Sequence, residues 1–114
     1  MAKILLAEDD RTMISLLKTL LKMEGFEVVT LDVETDVPTA VQQEMPDALL
    51  MDVHLGGQNG LKILESIRKD STLANVRIVM TSGLNMKDEC IRLGASAFLL
   101  KPFMPDDLID VLKR

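Results

Sequence analysis

Ile4-Leu5-Leu6-Ala7-Glu8-Asp9-Asp10 decides the fold: four apolar residues run without a break into three acids. Continuous apolar runs suit strands covered on both faces, as in parallel sheets. Two further stretches repeat the pattern. Ala48-Leu49-Leu50-Met51 ends in Asp52, and Phe98-Leu99-Leu100 ends in Lys101-Pro102-Phe103. As parallel strands of one sheet, the three runs bring their charged ends to its carboxyl edge, where open α/β sheets bind ligands. Acids, one isolated aspartate and one lysine gathered there point to a divalent cation and a phosphoryl group.

Working outward, apolar runs predict strands over 3–7, 27–31, 48–51, 77–81 and 97–100. Helical periodicity predicts helices over 12–24, 37–44, 61–69, 87–93 and 105–114. The punctuation agrees with this division. Asp10 and Asn59 are placed to cap helices, Gly25 and Gly94 to stop them, and Pro38 falls in a first helical turn. Gly56-Gly57 marks residues 54–59 as a loop. Strand and helix alternate five times, which implies parallel strands joined by crossover helices. The expected fold is α/β: a doubly wound, five-stranded parallel sheet of flavodoxin-like order 2-1-3-4-5 with helices on both faces. A closed eight-stranded barrel needs about twice the length.

The 114 residues suit one domain, spanning 1–114, either complete or cut from a longer chain. Net charge is −5, from 18 acidic and 13 basic residues, and no basic block stands out, which argues against a nucleic-acid surface on this domain. Met1-Ala2-Lys3 and the four apolar residues after it are too short for a signal-peptide core, and no stretch approaches a membrane span. Cys90 is the single cysteine, so no internal disulfide forms, and a reducing cytoplasm is the expected location.

Each charged cluster carries a plain structural alternative. Glu8-Asp9-Asp10 can simply cap the first helix, Asp52 can open a loop, and Lys101 can snorkel to solvent. Convergence favours chemistry instead. Two unit charges ~4 Å apart repel by roughly 4 kcal/mol at an effective dielectric near 20, so clustered carboxylates must protonate, stay wet or hold a cation. Oxygen donors without cysteine or histidine side chains favour Mg²⁺. A carboxylate such as Asp52 can attack a phosphoryl group, given a metal and a fixed ammonium to neutralise the oxygens. Pro102 pins the backbone beside Lys101 and can hold a cis bond that aims the lysine at the pocket. Thr81 and Ser82 both offer a hydroxyl at the end of the fourth strand, on opposite sides of it, and Gly83 permits close backbone approach.

At these residues the chain resembles the response-regulator receiver domain of two-component signalling (CheY-like), and the resemblance covers essentially its whole length. The shared pattern is Glu8-Asp9, Asp52, Ser82-Gly83 and Lys101-Pro102-Phe103. Asp52 follows Asp9 by 43 positions, Gly60 follows Asp52 by 8 and Ser82 follows it by 30; the last interval selects Ser82 over Thr81. The resemblance implies Asp52 as phosphoacceptor, with Mg²⁺ held by Glu8, Asp9, Asp52 and the backbone carbonyl of His54. It implies Ser82 as switch hydroxyl, Lys101 as the lysine that pairs the phosphoryl group, and Phe98 as the aromatic switch residue. It implies a regulator that catalyses only its own phosphorylation and dephosphorylation, not an enzyme with an external substrate. The implied donor is a sensor histidine kinase or histidine phosphotransfer protein. The implied output face, a homodimer contact among its uses, is the fourth helix, fifth strand and fifth helix.

Three departures stand out. Gly56 occupies a position where the family usually has proline, which predicts a more mobile loop. Only 19 positions separate Ser82 from Lys101, which predicts a trimmed fourth helix or leading loop. Phe98 lacks the hydroxyl that tyrosine brings, so a switch there works by packing. His54 and Leu84, each two residues past a site residue, are expected to control water access to an acyl phosphate. Other readings fare worse. An aspartyl-nucleophile phosphatase wants a second acid two residues after the nucleophile, where this chain has His54. A flavin or nucleotide binder wants a glycine-rich phosphate loop after the first strand and ring-stacking Trp or Tyr, and has neither here. A receiver-like module that works without phosphorylation has no need of the complete residue set.

Overall fold

The computed structural model describes residues 2–32 and 34–114; Met1, quoted above for the N-terminus, lies outside them. Five parallel strands, β1 (Lys3–Ala7), β2 (Glu27–Thr30), β3 (Ala48–Asp52), β4 (Arg77–Ser82) and β5 (Ala97–Leu100), form one sheet of order β2-β1-β3-β4-β5. Between and after them run α1 (Arg11–Met23), α2 (Val37–Glu44), α3 (Gly60–Arg68), α4 (Lys87–Arg92) and α5 (Pro105–Lys113). This is the doubly wound, flavodoxin-like order that the sequence predicts.

Two cores explain why the strands read as unbroken apolar runs. Alternate residues Ile4, Leu6, Leu50, Val79 and Leu99 pack with Leu17, Leu21, Leu108 and Leu112 beneath α1 and α5. Their neighbours Leu5, Leu49, Met51, Ile78 and Met80 pack with Val37, Val41, Leu64, Ile67 and Cys90 beneath α2, α3 and α4. A strand buried on both faces needs apolar side chains at every position. β3 sits mid-sheet and is buried throughout, Asp52 included.

Local chemistry sets the helix ends. The Asp10 carboxylate accepts from the N–H groups of Thr12 and Met13, and Asn59 accepts from Leu61 and Lys62, so both caps act where expected. α4 is only six residues long, in keeping with the short interval before Lys101. Beside one-residue shifts at the ends of β2, α1, α3, α4 and α5, three details differ from the sequence reading. β3 and β4 each run one residue further, to Asp52 and Ser82, because these polar residues remain in the ladder at the buried sheet edge. Residues 54–59 are not plain loop but a tight hairpin, with His54 opposite Asn59 and Leu55 opposite Gln58, anchored by the buried side chain of Leu55. A 3₁₀ turn, Ser71–Leu73, follows α3; Asp70 caps it and Leu73 fills the core.

Candidate functional site at the carboxyl edge of the sheet

The register fixes the site. Ala7 lies opposite Met51, and Asp52 opposite Thr81, so β1, β3 and β4 end together and the residues beyond them share one rim. The three N-terminal acids divide their work there. Asp10 caps α1, which satisfies the structural alternative and leaves Glu8 and Asp9 free for other partners. Glu8 is 4 % exposed and Asp52 8 %, whereas Asp9 is exposed. Glu8 Oε1 accepts from the N–H groups of Asp9 (3.2 Å) and Asp10 (3.1 Å). Asp52 Oδ1 accepts from the His54 N–H at 2.8 Å.

Lys101 bridges the two buried acids. Its Nζ donates to Glu8 Oε2 at 2.9 Å and to Asp52 Oδ2 at 2.5 Å. The lysine is therefore aimed into the pocket rather than out to solvent, and the Lys101-Pro102 bond is cis. Its own N–H donates to the Ser82 carbonyl at 2.8 Å, so the lysine's backbone is tied to the end of β4. Beneath the ion pairs, Leu6, Met13, Leu50 and Phe103 form an apolar floor.

One oxygen from each of Glu8, Asp9 and Asp52 lies within 4.8 Å of the other two. Burial pushes the Glu8 carboxyl above its ordinary pKa; Lys101 and the Asp10 N–H pull it back, and the charge of Asp52 adds to the rise. Burial also opposes the charge on Lys101, but the bonds to Asp52 and Glu8 outweigh it and hold the ammonium pKa above its ordinary value. Three carboxylates and one ammonium leave a formal excess of two negative charges. That excess and the oxygen-only donor set fit a hard divalent cation such as Mg²⁺.

The remaining expected residues are arranged differently. Ser82 is fully buried, but its hydroxyl accepts from the Leu84 N–H at 3.1 Å and touches the Met86 sulfur at 3.9 Å, on the α4 side. Thr81 pairs in register with Asp52 and lines the pocket beneath Lys101. Phe98 lies opposite Met80, half-buried against the core under α2, α3 and α4. The His54 side chain is exposed, as is Leu84.

Two glycines contribute in ways that sequence reasoning missed. At Gly60, a Cβ would meet the Asp52 carbonyl oxygen at 2.6 Å, that of Val53 at 2.7 Å and Val53 Cα at 2.8 Å. The start of α3 therefore presses directly on the end of β3, and only glycine fits. The spacing from Asp52 to Gly60 was visible in the sequence, but nothing there disclosed this contact. Gly56 has φ +58° and donates its N–H to Asp9 Oδ2 at 3.0 Å, a bond no sequence signal announces.

Comparison with known proteins bears on the fold and the family. The family model for the response regulator receiver domain matches residues 4–113. The DNA-binding response regulator MtrA of Mycobacterium tuberculosis strain H37Rv is 34% identical over 110 residues, covering 94% of this chain and 47% of MtrA. The chain thus spans less than half the length of this curated relative. Among solved structures, the chemotaxis response regulator CheY4 of Vibrio cholerae superposes with a TM-score of 0.88 at 28% identity, covering 100% of this chain and 98% of that one. The receiver domain of sensor histidine kinase PA1611 from Pseudomonas aeruginosa PAO1, solved with a magnesium ion coordinated in its active site cleft, gives 0.86 at 26% identity over 99% and 95% of the two chains. With its strand order, its rim of acids and lysine and a family match over residues 4–113, this chain belongs to the response regulator receiver domains of two-component signalling.

Proposed function

We propose that Asp52 accepts a phosphoryl group from the phosphohistidine of a sensor histidine kinase or histidine phosphotransfer protein, and that the acyl phosphate switches the surface formed by α4, β5 and α5. The observation that carries this reading is Lys101 Nζ lying between Glu8 and Asp52 while Asp9 completes the cluster. In the reaction, an Asp52 carboxylate oxygen forms a bond to phosphorus as the bond from phosphorus to the donor imidazole nitrogen breaks, with its electron pair leaving on the imidazole. Lys101 exchanges its contact with Asp52 for one with a phosphoryl oxygen, countering charge that the carboxylate no longer carries. Glu8, Asp9, Asp52 and the His54 carbonyl would hold Mg²⁺, which when bound neutralises the phosphoryl oxygens.

The switch begins with Ser82. Its hydroxyl turns from the Leu84 N–H toward the phosphoryl group, which releases Met86 at the start of α4 and lets Phe98 repack beside it. The new surface serves a partner or a second copy of the chain. Activity of this kind makes the chain a regulator that modifies only itself. His54 and Leu84, both exposed and each two residues past a site residue, set how fast water reaches the acyl phosphate. An apolar groove of about 470 Å³, lined by Leu16, Leu20 and Met23 of α1 and by Pro102 and Pro105, shares Met13, Leu17 and Phe103 with the pocket beneath Asp52. It gives a protein donor an apolar landing beside the acceptor, which supports a protein rather than a small metabolite as the physiological source.

Incubation with Mg²⁺ and acetyl phosphate or phosphoramidate tests the proposal. Intact-mass measurement should show one labile phosphoryl adduct, lost when Mg²⁺ is chelated and absent from Asp52→Asn. An adduct of equal yield in Asp52→Asn would reject it.

A further inference from the structure

The three rim carboxylates are held in unlike ways. Glu8 and Asp52 share Lys101 and accept further N–H bonds from Asp9, Asp10 and His54. Asp9 is the exposed member, and its Oδ2 accepts from the Gly56 N–H, 47 residues away along the chain. We propose that the Gly56 N–H is a positioning group for the cation site: it holds the Asp9 carboxylate against the like charges of Glu8 and Asp52 and so sets affinity for the divalent ion. This inference rests on the function proposed above.

Repulsion within the cluster gives Asp9 every reason to rotate toward water, because Lys101 is engaged by the other two acids. A directed N–H opposes that rotation while leaving the other carboxylate oxygen to face a ligand. The donor is itself fixed. Asp52 accepts from the His54 N–H, Leu55 is buried, and Asn59 caps α3, so both ends of the hairpin are tied down around Gly56. The N–H reaches Asp9 with the backbone at φ +58°, a left-handed conformation that glycine adopts freely. The proline usual in the family at this position has no N–H and a φ locked near −65°. The departure noted in the sequence thus replaces a stiff residue with a hydrogen bond across the site, which restrains the loop that the missing proline would leave mobile.

Calorimetric titration of Mg²⁺ into wild-type protein and Gly56→Pro should show roughly tenfold weaker binding by the variant, in line with losing one hydrogen bond to a charged group. A second readout needs no change at Gly56. In metal-free protein, NMR should find the Gly56 amide proton shifted downfield and slow to exchange, and Asp9→Ala should remove both effects. Equal affinity in wild type and folded Gly56→Pro, or a Gly56 amide unmoved by Asp9→Ala, overturns the inference. Wild-type protein that binds no Mg²⁺ would instead defeat the proposed function itself, and this inference with it.

Discussion

The site has two halves, built from different material. The buried half, Glu8, Asp52 and Lys101, is a set of ionised side chains paired directly with one another. The second half, exposed Asp9 with the hairpin and buried Ser82 with the loop after β4, is held by backbone N–H groups of Gly56 and Leu84. Charge held in place by charge is costly to disturb. Contacts made by backbone in short loops are easier to exchange, and that suits the half that must rearrange when the site is occupied.

Lys101→Met should break the buried half most severely. It removes the ammonium that bridges two buried acids, and phosphoryl transfer should fall by about 10²–10³, the usual cost of losing a donor to transition-state charge. Rates with a small phosphodonor at saturating Mg²⁺ check this. Gly60→Ala attacks the seam between α3 and β3 that carries both halves. Its Cβ has no space against the Asp52 and Val53 backbone, so urea denaturation should show a loss of about 1–3 kcal/mol.

Glu8 gives the buried half a pH signature. A carboxyl whose pKa is raised by folding binds protons more tightly in the native state than in the unfolded one. Stability therefore falls as pH rises from the ordinary glutamate value through the raised one, and the cost persists at neutrality. Metal-free Glu8→Gln should lose that fall, so its urea midpoint should decline less than that of wild type from mildly acidic pH to neutrality. Ser82→Ala should have the smallest effect. Mg²⁺ affinity should stay within about twofold of wild type, because the hydroxyl bonds to its own loop in this state and the buried hydrogen bond it loses is a modest one. A large loss of affinity would mean that the two halves are not separable as described.

The two halves were also unequally legible in the sequence. Glu8, Asp9, Asp52 and Lys101 announced themselves because charges at the ends of apolar runs are conspicuous, and strand order then brings those ends together. α2 was bounded to the residue, since Pro38 suits its first turn and Pro46 lies just past its end. Asp52 and Ser82 do not read as strand because a polar residue breaks an apolar run even when it stays in the ladder. The Ser71–Leu73 turn is too short to show a period. The hairpin hid behind Gly56-Gly57, which signals a turn without revealing where its N–H groups point. Gly60 likewise showed its spacing and concealed its reason, because a close approach of backbone to backbone leaves no mark on the neighbouring residue types.

The central claim is that the Asp52 carboxylate itself takes the phosphoryl group. Trapping the adduct with borohydride, which reduces an aspartyl phosphate to homoserine, followed by peptide mass spectrometry, reads the modified position directly. The account predicts homoserine at position 52 in protein treated with Mg²⁺ and phosphodonor and none without donor. Phosphate found on Ser82 or His54, with residue 52 still aspartate, would contradict it.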